Sequence, residues 1–307
     1  MSILEVNDLS ISFKQYTGGL RQRTHKVISS LNISMNAGEI VAVVGASGSG
    51  KSLLAHAILG ILPDHATMSG TIKYKGEELT PERQAALRGK ELALVPQSVN
   101  FLDPLMRVGS QIRTSVRGGD PAAEQKKVFE RYHLQPGVEK LFPFQLSGGM
   151  ARRTLVSMAV VSGARVIIAD EPTPGLDPAA LSQALGYFRE LADNGAAVML
   201  ITHDIESALT IADKIAVFYA GTTVEIAPAA DFSGNGEALR HPYTKALWRA
   251  LPQNDFVPIP GCQPSPDALP SGCYFEPRCD RSSPECALKQ PEMRQVRGGM
   301  VWCEHVS

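Results

Sequence analysis

An unbroken apolar run, Ile40-Val41-Ala42-Val43-Val44, leads directly into Gly45-Ala46-Ser47-Gly48-Ser49-Gly50-Lys51-Ser52, and an apolar stretch follows. A run of that length reads as a buried strand and the stretch at 52–62 as a helix, so the glycine-rich octamer is a strand-to-helix turn. Gly45, Gly48 and Gly50 let the backbone bend so that its N–H groups and the helix N-terminus face an anion. Lys51 then adds a point charge on the β and γ oxygens of a nucleotide, and Ser52 offers a hydroxyl to Mg²⁺. A Gly-Ser linker of similar composition would not be enclosed by apolar segments. The whole octamer, Ser47 and Ser49 included, is therefore a candidate phosphate cradle.

Further phosphate-handling motifs follow in order: Gln97, Leu146-Ser147-Gly148-Gly149, Asp170-Glu171 and His203. The apolar run 166–169 delivers Asp170 at a strand's carboxyl end, where open α/β sheets bind their ligands. Asp170 is expected to hold Mg²⁺ through its water shell. Glu171 is placed to act as general base on an attacking water. His203 follows the apolar run 197–201 in the same way, which predicts a γ-phosphate contact from the same sheet edge.

Between these points, residues 3–13 alternate as a strand, and 14–26 read as a basic, glycine-bearing loop. A strand is expected at 91–96 and helices at 121–134 and 149–161, which suggests a helical insertion over about 98–162. The βα alternation then returns: strand 165–169, helix 178–193 with Pro178 at its first position, strand 197–201, helix 204–212 and a hairpin around Gly221. A mainly parallel sheet with helices on both faces fits this α/β pattern.

The 307 residues, 44% of them hydrophobic, suffice for a substantial core, and a net charge of −1 provides no basic field for nucleic acid. No apolar run approaches the roughly 18–20 residues of a membrane-spanning helix. The first residues lack a basic segment leading into an apolar one, so the chain is expected to remain in the cytoplasm. There is one P-loop and no internal repeat.

With these motifs in place, residues 1–228 resemble the nucleotide-binding subunit of an ABC transporter. Leu146-Ser147-Gly148-Gly149-Met150 is similar to the family's signature motif, Gln97 to its Q-loop and Pro174-Gly175-Leu176-Asp177 to its D-loop. Phe13 corresponds to its adenine-stacking aromatic, with Tyr16 as the alternative. The resemblance implies ATP and Mg²⁺ as cofactors, with Ser52, Gln97 and Asp170 toward the metal. It also implies a head-to-tail dimer in which Ser147, Gly148 and Gly149 of one subunit close on the nucleotide held by the other. The second ATPase subunit is expected to be a homologous, heterodimeric partner. Met150-Ala151-Arg152-Arg153 replaces the common Gln-Arg-Gln-Arg, and Gly175 stands where Ala is frequent. Neither change removes a catalytic group: Glu171, His203 and Gln97 are all present.

Residues 229–307 resemble the C-terminal extension of importers for oligopeptides, dipeptides and nickel, carried by His241-Pro242-Tyr243-Thr244, Pro260-Gly261 and the stretch from Pro270 to Cys279. All five cysteines lie between Cys262 and Cys303. A reducing compartment disfavours disulfides, which leaves a metal centre as the natural use of Cys273, Cys279, Cys286 and Cys303, with Cys262 spare. The Cys-x-x-Cys pairs typical of zinc ribbons are absent. Related importers imply a 4Fe-4S cluster, with zinc as second choice.

The expected protein is an α/β P-loop ABC cassette with a helical subdomain and a cysteine-bearing tail. It would sit on the cytoplasmic face of the membrane and work with two permease subunits and an external binding protein. Its expected cargo is di- or oligopeptide, with nickel or a metal chelate as the alternative. A ribosome- or DNA-directed ABC protein is more distant, because such proteins usually fuse two cassettes or carry a long coiled coil.

Overall fold

Two long strands open the chain in the computed structural model, which describes residues 2–16 and 22–306. β1 (Ser2–Tyr16) and β2 (Gln22–Asn36) pair antiparallel, with Phe13 opposite His25 and Lys14 opposite Thr24. Most of the segment expected as a loop at 14–26 is thus strand, while 17–21 lie outside the described residues. A basic face suits an antiparallel pair with one solvated side, so polarity there did not signal a loop.

β3 (Ile40–Gly45) is buried at every position. Its side chains alternate between two cores. Ile40, Ala42 and Val44 belong to one, and Val41 and Val43 to the other. Burial on both faces is why the run is uninterruptedly apolar. α1 (Lys51–Leu59) follows and stops earlier than the expected Leu62, because Gly60 adopts a left-handed φ of 63° and its N–H caps the carbonyls of His56 and Ala57.

β4 (Ala66–Tyr74) and β5 (Glu77–Glu78) complete a four-stranded antiparallel sheet in the order β2-β1-β4-β5, which sequence reading did not anticipate. α2 (Pro81–Leu87) is capped by Thr80 and leads to β6 (Leu92–Val95). The helical insertion contains α3 (Val108–Ser115), α4 (Pro121–Arg131) and α5 (Gly148–Val161).

The alternating part resumes with β7 (Val166–Asp170), α6 (Pro178–Asp193), β8 (Ala197–Thr202) and α7 (Ile205–Leu209). α7 is shorter than the expected 204–212, with Asp204 serving as its N-cap. β9 (Lys214–Tyr219) and β10 (Thr222–Pro228) form the hairpin, turning through Ala220 and Gly221, both at positive φ.

The tail contributes α8 (Pro242–Arg249), α9 (Pro284–Leu288), β11 (Met293–Val296) and β12 (Gly299–Trp302). β12 pairs with β10, Glu225 opposite Val301, so the main sheet runs β11-β12-β10-β9-β3-β8-β7-β6. The strands from β9 to β6 are parallel and those from the tail antiparallel. One face packs against the insertion, α6 and the tail. The other carries α1 and the small antiparallel sheet, which corrects the expectation of helices alone on both faces. Glu225, fully buried on β10, accepts from the backbone N–H groups of Arg240 and His241 and lies 3.3 Å from the Arg240 guanidinium. A buried carboxylate requires such partners.

Candidate functional site

Because β3, β6, β7 and β8 are parallel, their carboxyl ends meet at one sheet edge. The register sets Val44 beside Thr202 and Asp170 beside Ile201. The residues just beyond those ends are Gly48 to Lys51, Gln97, Glu171 and His203, and together they line one open cavity of about 560 Å³. Gly50 adopts φ 92° at the head of α1, a conformation that a side chain there would strain.

Within the cavity Lys51 is buried, and its Nζ donates to the carbonyls of Gly45 (2.8 Å) and Ala46 (3.1 Å). Burial lowers its pKa, while the nearby carboxylates of Glu171 and Asp170 oppose that shift. Ser52 Oγ donates to Asp170 Oδ1 at 3.1 Å, which brings two hard oxygen ligands to one place. Burial raises the pKa of Asp170 and the Ser52 hydrogen bond counters it. The buried Ser49 hydroxyl has no hydrogen-bond partner among the described residues. A phosphate oxygen would relieve that cost.

Glu171 is buried and stands at a left-handed φ of 45°. Its N–H donates to the Ile201 carbonyl at 2.9 Å, and its own carbonyl accepts from Arg152 Nη1 at 3.0 Å. Both carboxylate oxygens lie 2.9 Å from His203 Nδ1, while the His203 side chain is 68% exposed. A carboxylate anchored from beneath and a ring open to the cavity act as one unit on whatever lies above them.

The other sequence-derived residues sit elsewhere. Ser147, Gly149 and Asp177 line a separate cleft of about 610 Å³ between α5 and α6, with Arg152, Gln183 and Tyr187. Ser147 Oγ caps α5 by accepting from the Met150 N–H, and Gly148 opens that helix. Asp177 Oδ1 accepts from the N–H groups of Ala179 and Ala180 at 3.0 Å, so it caps α6. Phe13 packs against His65 with ring centroids 5.4 Å apart and does not line the phosphate cavity. The side chain of Tyr16 lies outside the described residues. Val27 of β2 does line the cavity. Nothing local in the sequence marked it, because only sheet pairing brings it there.

Cys273, Cys279, Cys286 and Cys303 line a further small cavity with His241 and His305, while Cys262 is exposed. Cys286 Sγ is 3.2 Å from His305 Nε2. Burial pushes the Cys273 thiol up to about 11 and raises Cys279 and Cys303 as well. Among the described residues, no three His, Cys, Asp or Glu side chains converge closely enough to hold a metal ion. No described helix is long and apolar enough to cross a membrane.

Comparison with known proteins accords with both halves. Residues 28–174 match the ABC transporter family, and residues 224–286 match the oligopeptide/dipeptide transporter C-terminal region. The chain is 33% identical over 307 residues to the oligopeptide transport ATP-binding protein OppD of Salmonella typhimurium, covering 94% of this chain and 89% of that protein. It is 32% identical over 319 residues to the dipeptide transport ATP-binding protein DppD of Escherichia coli, covering 97% and 95%. The fold is similar to a bacterial ABC transporter cassette solved as a dimer, with a TM-score of 0.65 and 22% identity over 74% of this chain and 98% of that one.

Proposed function

This chain belongs to the family of ABC transporter ATP-binding subunits of the oligopeptide and dipeptide type, and from that membership we propose that it hydrolyses ATP to drive peptide import. The observation that carries the chemistry is the meeting of P-loop, Gln97, Glu171 and His203 around one cavity. Amides of the loop and Lys51 hold the phosphates. Ser52 and Asp170, with Gln97 at the rim, fit Mg²⁺, which would neutralise charge on the β and γ oxygens. Glu171 accepts a proton from the water that attacks the terminal phosphorus while the bond to the ADP oxygen breaks, and His203 orients that carboxylate. Phe13 is assigned to the adenine.

Ser147, Gly149 and Asp177 lie in a different cleft and Gly148 opens the helix beside it, so these residues serve the nucleotide of a second ATPase subunit, here proposed to be a homologous heterodimeric partner. The N-terminus of α5 supplies the physical reason, since its amides and dipole favour a phosphate. The pair works on the cytoplasmic face of the membrane with two permease subunits and an external binding protein. Its cargo is peptide rather than nickel, a choice supported by the two relatives, an oligopeptide and a dipeptide transport ATP-binding protein.

In the tail, four thiols line one cavity, and the lack of Cys-x-x-Cys pairs is what supports a 4Fe-4S cluster over a zinc ion there. Cys273, Cys279, Cys286 and Cys303 would hold it. Anaerobic purification is expected to give a brown protein that Cys286→Ser bleaches, with ATP affinity unchanged. A colourless protein with stoichiometric zinc would overturn the cluster.

The function is tested by uptake in cells lacking the chain. Labelled dipeptide uptake should be lost, then restored by the wild type but not by Glu171→Gln. Loss of nickel uptake alone would overturn the peptide reading.

A further inference from the structure

Arg152 is the one change in the signature segment that reaches the hydrolytic centre. It replaces the glutamine common in the family. Its guanidinium runs from the first turns of α5 to the Glu171 carbonyl at 3.0 Å. It is half-buried in the cleft with Ser147, Gly149 and Pro172. Its neighbour Arg153 is engaged differently, donating to the carbonyls of Gly149, Tyr132 and His133 within the helical insertion.

Glu171 needs such a tie. It is a non-glycine residue at φ 45°, a conformation that persists only when its surroundings over-determine it. Its N–H is fixed by the Ile201 carbonyl and its carboxylate by His203, so the remaining backbone handle is the carbonyl that Arg152 occupies. Releasing that carbonyl lets the turn at Glu171 relax and swings the carboxylate away from the attacking water.

We propose that Arg152 is a positioning residue for hydrolysis, holding Glu171 in its working conformation and tying it to the helix whose N-terminus faces the second subunit's nucleotide. The inference rests on the reading of Glu171 as general base. One α5 displacement then reaches both composite sites. Its N-terminus serves the partner's nucleotide, and one turn later Arg152 sets the base for this chain's own.

The test uses the assembled transporter in vesicles, with kcat and KM for ATP measured for Arg152→Met and Arg152→Lys, each alone and combined with Glu171→Gln. Misplacing a reacting group by about 1 Å costs up to about 10²-fold, so Arg152→Met should lower kcat by about tenfold and leave KM for ATP unchanged. Arg152→Lys retains a donor and should recover part of that loss, and it carries the test if Arg152→Met misfolds. On the Glu171→Gln background neither change should lower the residual rate further. A parallel rise in KM, a lysine variant no better than methionine, or an undiminished effect on the Glu171→Gln background would each overturn the proposal. Near-normal turnover by Glu171→Gln alone would instead overturn the general-base reading on which it rests.

Discussion

The nucleotide cavity and the cysteine cavity are built on opposite plans. Around the first, the reacting side chains sit at or just beyond the ends of parallel strands, Lys51 and Ser52 on the helix that follows β3, and the sheet's hydrogen bonds hold those ends in register. Around the second, Cys273, Cys279, Cys286 and Cys303 come from turns, one short helix and the exit of β12, and side-chain packing brings them together. A site carried on a sheet edge inherits the rigidity of the sheet. A site carried on turns depends on what packs beneath it, here Phe275 against Tyr219 and Tyr243, with centroids 5.3 Å apart in both pairs.

The largest effect should come from the rigid site. Glu171→Gln is expected to lower ATP turnover by about 10² to 10⁴-fold while nucleotide binding and tail cysteine chemistry stay intact. Measured turnover and ATP affinity decide it, and a loss of affinity in step with turnover would mean that the edge is less independent than the geometry implies.

Glu225→Ala probes the joint between the two plans. It removes one of the two carboxylates paired with the buried Arg240, leaving Asp231 at 2.7 Å, and it removes the acceptor for the N–H groups of Arg240 and His241. Each buried N–H left without its acceptor costs about 1–3 kcal/mol. Chemical denaturation should show one destabilised transition that takes ATP binding with it. Two separate transitions would make the tail an appendage.

Taken per pH unit near neutrality, the smallest effect concerns pH. Burial pushes the His241 pKa from 6.5 down to about 3. Above pH 6.5 native and unfolded chains are both neutral at this position, so it adds no slope. Below it the unfolded chain binds a proton that the native state refuses, and stability falls by about 1.4 kcal/mol per pH unit between roughly 6.5 and 3. Asn at 241 keeps an acceptor for the Tyr243 N–H, so His241→Asn should remove one proton's worth of slope from denaturation midpoints taken at several pH values. An unchanged slope would place the acid sensitivity outside the tail.

The same contrast governs what the sequence made legible. Each strand end carries its own signature, an apolar run followed by Gly, Asp or His, so the cavity residues could be read locally. Val27 could not, since it enters through the pairing of β2. Nor could Arg152's contact with Glu171, which joins a helix to a strand end across the fold. Of the small antiparallel sheet only β1 was read as a strand, because the exposed positions of the others are polar and resemble loop. In the tail, clustering of cysteines in sequence hinted at a shared site, but their spacing carried no information about the cavity they ring.

The placement of β12 has a consequence for synthesis. The edge of β10 is covered by a strand that emerges about 70 residues later, so at about 5–20 residues per second that edge waits for several seconds. During that interval the nascent chain offers unpaired backbone groups on β10, a template for pairing with neighbouring nascent chains that the Glu225 carboxylate at mid-strand opposes. Growing cells that make this protein fastest would therefore be the ones that most need a chaperone to shield one strand.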